Sequence, residues 1–136
     1  MPRTVLDPNV LVSALLSPAG TSAQLLLELR AGAYEIVTSP LLLTEVRDAL
    51  RREKFRSYVT ENEAEAYVEL LRRESIVADD PEPSGEQMSE DPDDEYLIAL
   101  ARSAQAFALV SGDRHLTRLR GVIPVFTPRE FLDSLR

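Results

Sequence analysis

Residues 3–16 read RTVLDPNVLVSALL, and the change of rhythm inside this stretch decides the fold. Arg3 to Leu6 has the character of a short buried strand. From Val10 to Leu16 the apolar residues fit a short helix instead. Between them Asp7-Pro8-Asn9 is a turn sequence, and Asn9 is placed to cap the helix at Val10. A strand that hands over to a helix so abruptly is the opening of a crossover unit.

The same alternation continues outward from this stretch. Pro18-Ala19-Gly20 breaks the first helix, Thr21 or Ser22 can cap a second through Arg30, and Gly32 is placed to end it. Glu35 to Thr38 reads as a second strand, and Ser39-Pro40 opens a helix running to about Glu53. Thr60 with Glu63 is a capping-box pair ahead of a helix through about Arg73. Ser75 to Ala78 is a weak third strand, and Asp79 to Pro92 is a loop of prolines, Ser84, Gly85 and acids. Asp91-Pro92 begins a helix ending near Gln105, and Phe107 to Val110 is a fourth strand. A helical turn around Arg114–Leu119, a fifth strand Val122–Phe126 and a final helix capped by Thr127-Pro128 complete the chain. Strands separated by helices predict an α/β fold with right-handed crossovers and a parallel sheet, one domain over 1–136. In such sheets the active crevice lies at the carboxyl ends of the strands.

Composition narrows the chemistry. The 136 residues contain no cysteine, which excludes disulfides, thiolate zinc sites and cysteine nucleophiles. His115 is the sole histidine, so a histidine-rich metal site is impossible. No apolar run reaches the roughly 18 residues a membrane span needs, and no export signal precedes the first strand, so cytoplasmic residence is the expectation. The net charge of −8 argues against a nucleic-acid partner, but the acidity is local. Between Arg73 and Arg102 stand ten acids and no base, and elsewhere thirteen acids face fifteen bases. Two basic clusters remain, one from Arg47 to Arg56 that includes Arg51 and Arg52, the other Arg114-Arg118-Arg120. Each suits either a phosphate backbone or a solvated helix face.

Four acids stand out by position. Asp7 and Asp113 follow strand-like runs, whereas Glu45 and Asp94 sit near the starts of helix-like ones. Each has a bland reading: Asp7 in a turn, Glu45 on the border of an apolar stripe, Asp94 and Asp113 as helix caps. Asp91 explains itself as the cap before Pro92, yet Asp94 falls within the apolar arc of Leu97, Ile98, Ala101 and Ala104 and points inward. Carboxylates that converge at one sheet edge repel unless protons or cations intervene. A divalent metal and phosphodiester chemistry are therefore the leading expectation. Serine nucleophiles lack a credible base partner beyond His115, and neither a Walker loop nor a Gly-x-Gly-x-x-Gly is present.

The stretches VLDPNVLVSA (5–14), Ser39-Pro40 with Glu45, DPDDEYLIA (91–99) and LVSGDRHL (109–116) together resemble the PIN-domain family, close to the VapC-like toxins of type II toxin–antitoxin pairs. The resemblance implies a three-layer α/β/α fold around a parallel sheet of about five strands. It implies an Mg²⁺- or Mn²⁺-dependent endoribonuclease acting on single-stranded RNA. Asp7, Glu45, Asp94 and Asp113 match its catalytic and metal-site acids, Asn9 matches its supporting asparagine, and Ser111 lies in the fourth matching stretch as a second support. Arg114, His115, Arg51 and Arg52 are the expected RNA contacts. Toxin members pair with a small antitoxin whose tail fills the pocket, and they commonly form homodimers. The chain departs from the pattern at Pro8, where a hydroxyl residue is usual, and at His115, where many relatives carry another acid. Pro8 keeps open a catalytically weak or inactive scaffold that acts by binding protein or RNA. A phosphatase using Asp7 is disfavoured, because Asn9 stands where a second acid is wanted.

Overall fold

The computed structural model describes residues 2–82, 87–89 and 91–136. The chain opens with β1 (Arg3–Leu6), α1 (Pro8–Leu16), α2 (Thr21–Arg30) and β2 (Glu35–Thr38). A long helical arm, α3 (Pro40–Leu50) and α4 (Glu61–Glu74), leads to β3 (Ile76–Val77). The second half supplies α5 (Glu95–Ser103), β4 (Ala108–Val110), α6 (Arg114–Thr117), β5 (Val125–Phe126) and α7 (Pro128–Ser134). Two 3₁₀ turns, Glu53–Phe55 and Pro92–Asp94, punctuate it.

The strands form one sheet in the order β3-β2-β1-β4-β5, and every pairing is parallel. Helices cover both faces in the three-layer α/β/α arrangement expected of the sequence. The chain steps outward from β1 to β2 to β3, then returns to the other side of β1 for β4 and β5. That reversal between β1 and β4 draws the crossovers apart and opens a crevice at the carboxyl ends of those two strands. β3 lies at one edge, and both its side chains are exposed. Among the described residues no single helix is long and apolar enough to cross a membrane.

Leu6, Leu11, Ile36, Leu42, Leu100 and Leu109 are fully buried between the layers, each worth about 1.5–3 kcal/mol of burial. Two buried tyrosines satisfy their hydroxyls on main-chain carbonyls rather than on water. Tyr34 donates to Leu25 O at 2.6 Å and meets Phe131 edge-on, with ring centroids 5.0 Å apart. Tyr67 donates to Leu11 O at 2.6 Å and so ties α4 to α1.

Several local expectations are corrected. α1 starts at Pro8 instead of Val10, because Asp7 and not Asn9 is its cap. Gly20 occupies the cap position of α2 without a side-chain bond, so Thr21 and Ser22 lie inside the helix. α3 stops at Leu50, since Arg52 turns extended before the 3₁₀ turn begins. β5 is confined to Val125–Phe126, because the N–H groups of Val122 and Ile123 close the turn after α6 onto Leu119 O. In the acidic stretch 79–90, Pro83, Ser84, Gly85, Glu86 and Glu90 lie outside the described residues.

Candidate active site

The crevice at the β1/β4 reversal is built from strand ends. Asp7 follows β1 directly and still donates its N–H to Val110 O at 2.9 Å, so the sheet fixes its backbone. Its side chain is buried, with Oδ1 accepting from Asn9 N at 3.0 Å and Oδ2 from Ser111 Oγ at 2.7 Å. Burial pushes the Asp7 carboxyl above its ordinary range, those two bonds pull it down, and the charge of Asp113 pushes it up again. Asn9 thus supports Asp7 through its backbone, while its own side chain is exposed.

Ser111 follows β4 and is fully buried. Besides donating to Asp7, its Oγ accepts the N–H of Asp113 at 3.0 Å. Asp113 in turn caps α6 by accepting His115 N at 2.8 Å.

Asp91 and Asp94 come from the 3₁₀ turn before α5. Asp91 caps that turn by accepting Asp93 N at 3.0 Å. With three residues per turn, positions three apart eclipse, so Asp91 and Asp94 share a side. Asp94 is 7% exposed and accepts a bond from Ser89 Oγ at 3.1 Å. Burial pushes its carboxyl up to about 6, the Ser89 bond opposes this, and the charges of Asp113, Asp91 and Asp7 add to it.

One carboxylate oxygen from each of Asp91, Asp94 and Asp113 lies within 4.8 Å of the others. Oxygens on opposite sides of an Mg²⁺ or Ca²⁺ ion stand about 4–5 Å apart, so the triplet fits a hard divalent cation in both spacing and donor type. Asp7 and Glu45 stand outside this triplet but within its field. Glu45, at the exposed rim on α3, accepts Tyr96 OH at 2.9 Å. Desolvation pushes its carboxyl up, the Tyr96 bond pulls it down, and Asp7, Asp93 and Asp48 push it up further. Burial and the neighbouring Glu45 raise the Tyr96 hydroxyl as well, so it remains a neutral donor.

A family model for the PIN domain matches residues 3–115. The chain belongs to the PIN domain family. Its fold is similar to that of a chain in the crystal structure of VapBC2 from Rickettsia felis bound to a DNA fragment from their promoter. That similarity has a TM-score of 0.64 at 16% identity and covers 92% of this chain and 98% of the other. No curated protein matches this PIN domain significantly.

Of the residues expected from the sequence, the PIN fold brings Asp7, Asp94, Asp113, Glu45 and Ser111 to one crevice, linked by hydrogen bonds or by charge. Arg114 opens α6 next to Asp113, and His115 follows it. The other basic pair is elsewhere. Arg51 ends α3 and pairs with Glu65 at 2.9 Å, as does Arg47 at 2.8 Å, so this cluster joins α3 to α4. Arg52 is exposed beside it. Sequence reasoning missed Asp91, Ser89 and Tyr96. Asp91 was hidden because capping accounted for it, although its three-residue spacing from Asp94 was the available signal. Ser89 and Tyr96 gave no signal, since their partners are decided by how the turn packs.

Proposed function

We propose that this PIN domain is a metal-dependent endoribonuclease that hydrolyses phosphodiesters of single-stranded RNA. The observation that carries the reading is the Asp91–Asp94–Asp113 triplet, its oxygens within 4.8 Å, in the strand-end crevice that also holds Asp7. Five acids drawn together with raised carboxyls at Asp7, Glu45 and Asp94 are an arrangement that a cation relieves.

Asp91, Asp94 and Asp113 would hold Mg²⁺ or Mn²⁺, with Asp7 and Glu45 adding negative charge around them. When bound, the cation supplies Lewis acidity toward water and toward the scissile phosphate. Ser111 fixes Asp7 and the backbone of Asp113, and Tyr96 fixes Glu45 at the rim. Arg114 and His115, which follow Asp113 directly, would contact the RNA backbone as it enters. Pro8 leaves the backbone around Asp7 undisturbed. It occupies the first position of α1, where a missing N–H leaves no bond unmade, and both bonds to Asp7 are intact beside it.

The likeness to a VapBC2 chain supports a toxin role with a small antitoxin as partner. A homodimer as the working unit is part of the same proposal and rests on the family resemblance alone. Cleavage of a labelled single-stranded RNA pool by the pure chain tests the catalytic reading, in Mg²⁺, Mn²⁺ or EDTA and alongside Asp94→Asn. Cutting that requires metal and disappears in the variant is expected. A folded sample that cuts with neither metal would leave the binding scaffold as the better reading.

A further inference from the structure

Two serines in the crevice make the same pair of hydrogen bonds. Ser111 Oγ donates to Asp7 Oδ2 at 2.7 Å and accepts Asp113 N at 3.0 Å. Ser89 Oγ donates to Asp94 Oδ2 at 3.1 Å and accepts Asp91 N at 3.2 Å. Both stand in a Ser-x-Asp sequence, Ser111-Gly112-Asp113 and Ser89-Glu90-Asp91. In each, the aspartate then caps the turn that follows it. The two hydroxyls therefore touch four of the five crevice acids, two through a side-chain oxygen and two through the backbone.

We infer that Ser89 is a positioning residue of the metal site, holding Asp94 and Asp91 in the arrangement that lets them meet Asp113. This rests on the metal-dependent reading above. Without a cation the three carboxylates repel, and nothing in the chemistry of an aspartate keeps it facing a like charge. A hydroxyl that donates to one carboxylate oxygen restricts the side chain's rotation and leaves the other oxygen for a ligand. Ser89 is suited to this because it is itself held. It is 3% exposed, and the N–H groups of Met88 and Ser89 both donate to Glu95 Oε1 at the start of α5. The serine is thus anchored to the helix that carries Asp94 at its cap. Partners of this kind, one bond removed from the ion, typically change metal affinity 10–100-fold when lost.

The competing role is a plain loop staple, and direct metal binding separates the two. Binding of Mn²⁺ alone to the full chain, read by electron paramagnetic resonance, is compared for wild type, Ser89→Ala, Ser89→Thr and Asp94→Asn. The thermal midpoint of each in EDTA is recorded. Ser89→Ala is expected to bind Mn²⁺ at least roughly tenfold more weakly, and to need correspondingly more Mn²⁺ for RNA cleavage. Ser89→Thr, which keeps the hydroxyl, restores both. Wild-type affinity in Ser89→Ala, with binding and cleavage intact in wild type and lost in Asp94→Asn, overturns the role of Ser89 and leaves the nuclease reading standing. A wild type that binds no Mn²⁺ overturns both. Should alanine prevent folding, Ser89→Cys takes its place: affinity equal to wild type from so weak a donor would overturn the assignment.

Discussion

Asp94 is where burial and charge collide most directly. Its carboxyl is raised from 3.8 to about 6 by burial and by three neighbouring acids. A carboxylate that holds its proton more tightly in the folded chain stabilises the fold at low pH, and that contribution is lost as pH rises through the folded value. Above pH 6 the ionised Asp94 therefore weakens the metal-free protein. Asp94→Asn should raise the thermal midpoint at pH 8 in EDTA, with the advantage shrinking as pH falls from 6 toward 4. At about 1.4 kcal/mol per pKa unit, the gain is on the order of 2–3 kcal/mol. The same variant should be catalytically dead, so stability and activity move in opposite directions. Tyr96 makes a second test. Tyr96→Phe removes the bond to Glu45 Oε2 and should lower cleavage roughly tenfold at unchanged fold, measured as kcat in saturating metal. At this scale the sequence exposed Asp7, Glu45, Asp94 and Asp113 because strand ends and helix starts are readable. It concealed Asp91 behind an adequate capping role, and it concealed Ser89 because a serine's hydroxyl partner depends on packing rather than on neighbours in the chain.

The helices were legible mainly through their ends. Thr60 and Glu63 form the reciprocal capping box at α4, and Thr127 and Glu130 repeat it at α7. Thr60→Ala should cost about 1 kcal/mol in urea unfolding, with the denaturant dependence unchanged because no core contact is lost. Gly32 also behaves as its sequence position suggests. It ends α2 at φ +85°, where space is free but a side chain is strained. Element boundaries failed where one residue had two possible roles. Asp7 closes a strand and caps a helix at once, so α1 absorbed Pro8 and Asn9 into its first turn. Pro124 lies next to the short β5, and the residues before it serve the preceding turn, which neither hydropathy nor β-propensity reveals.

For the whole molecule, parallel order was implied by strand–helix alternation, but the strand order and the place where it reverses were not. That order places Asp7 and Asp113 side by side across more than a hundred residues of chain. Because the crevice acids repel one another when empty, divalent cation should stabilise the fold as a whole. Mg²⁺ at a hundredfold excess over its dissociation constant should add about 2.7 kcal/mol, seen as a rise in thermal midpoint that Asp94→Asn abolishes. The opposite border of the sheet carries a different consequence. β3 is only Ile76–Val77, half out of the protein, and its outer backbone faces no strand among the described residues. Asp79 and Asp80 follow after Ala78, and Asp80 Oδ2 accepts the N–H of Leu41 at 2.9 Å. A short edge flanked by fixed negative charge is a poor template for strand addition by another chain. Asp79 and Asp80 are thus placed to discourage clumping at this edge, and Asp79→Asn/Asp80→Asn should turn cloudy at concentrations where the native chain stays clear.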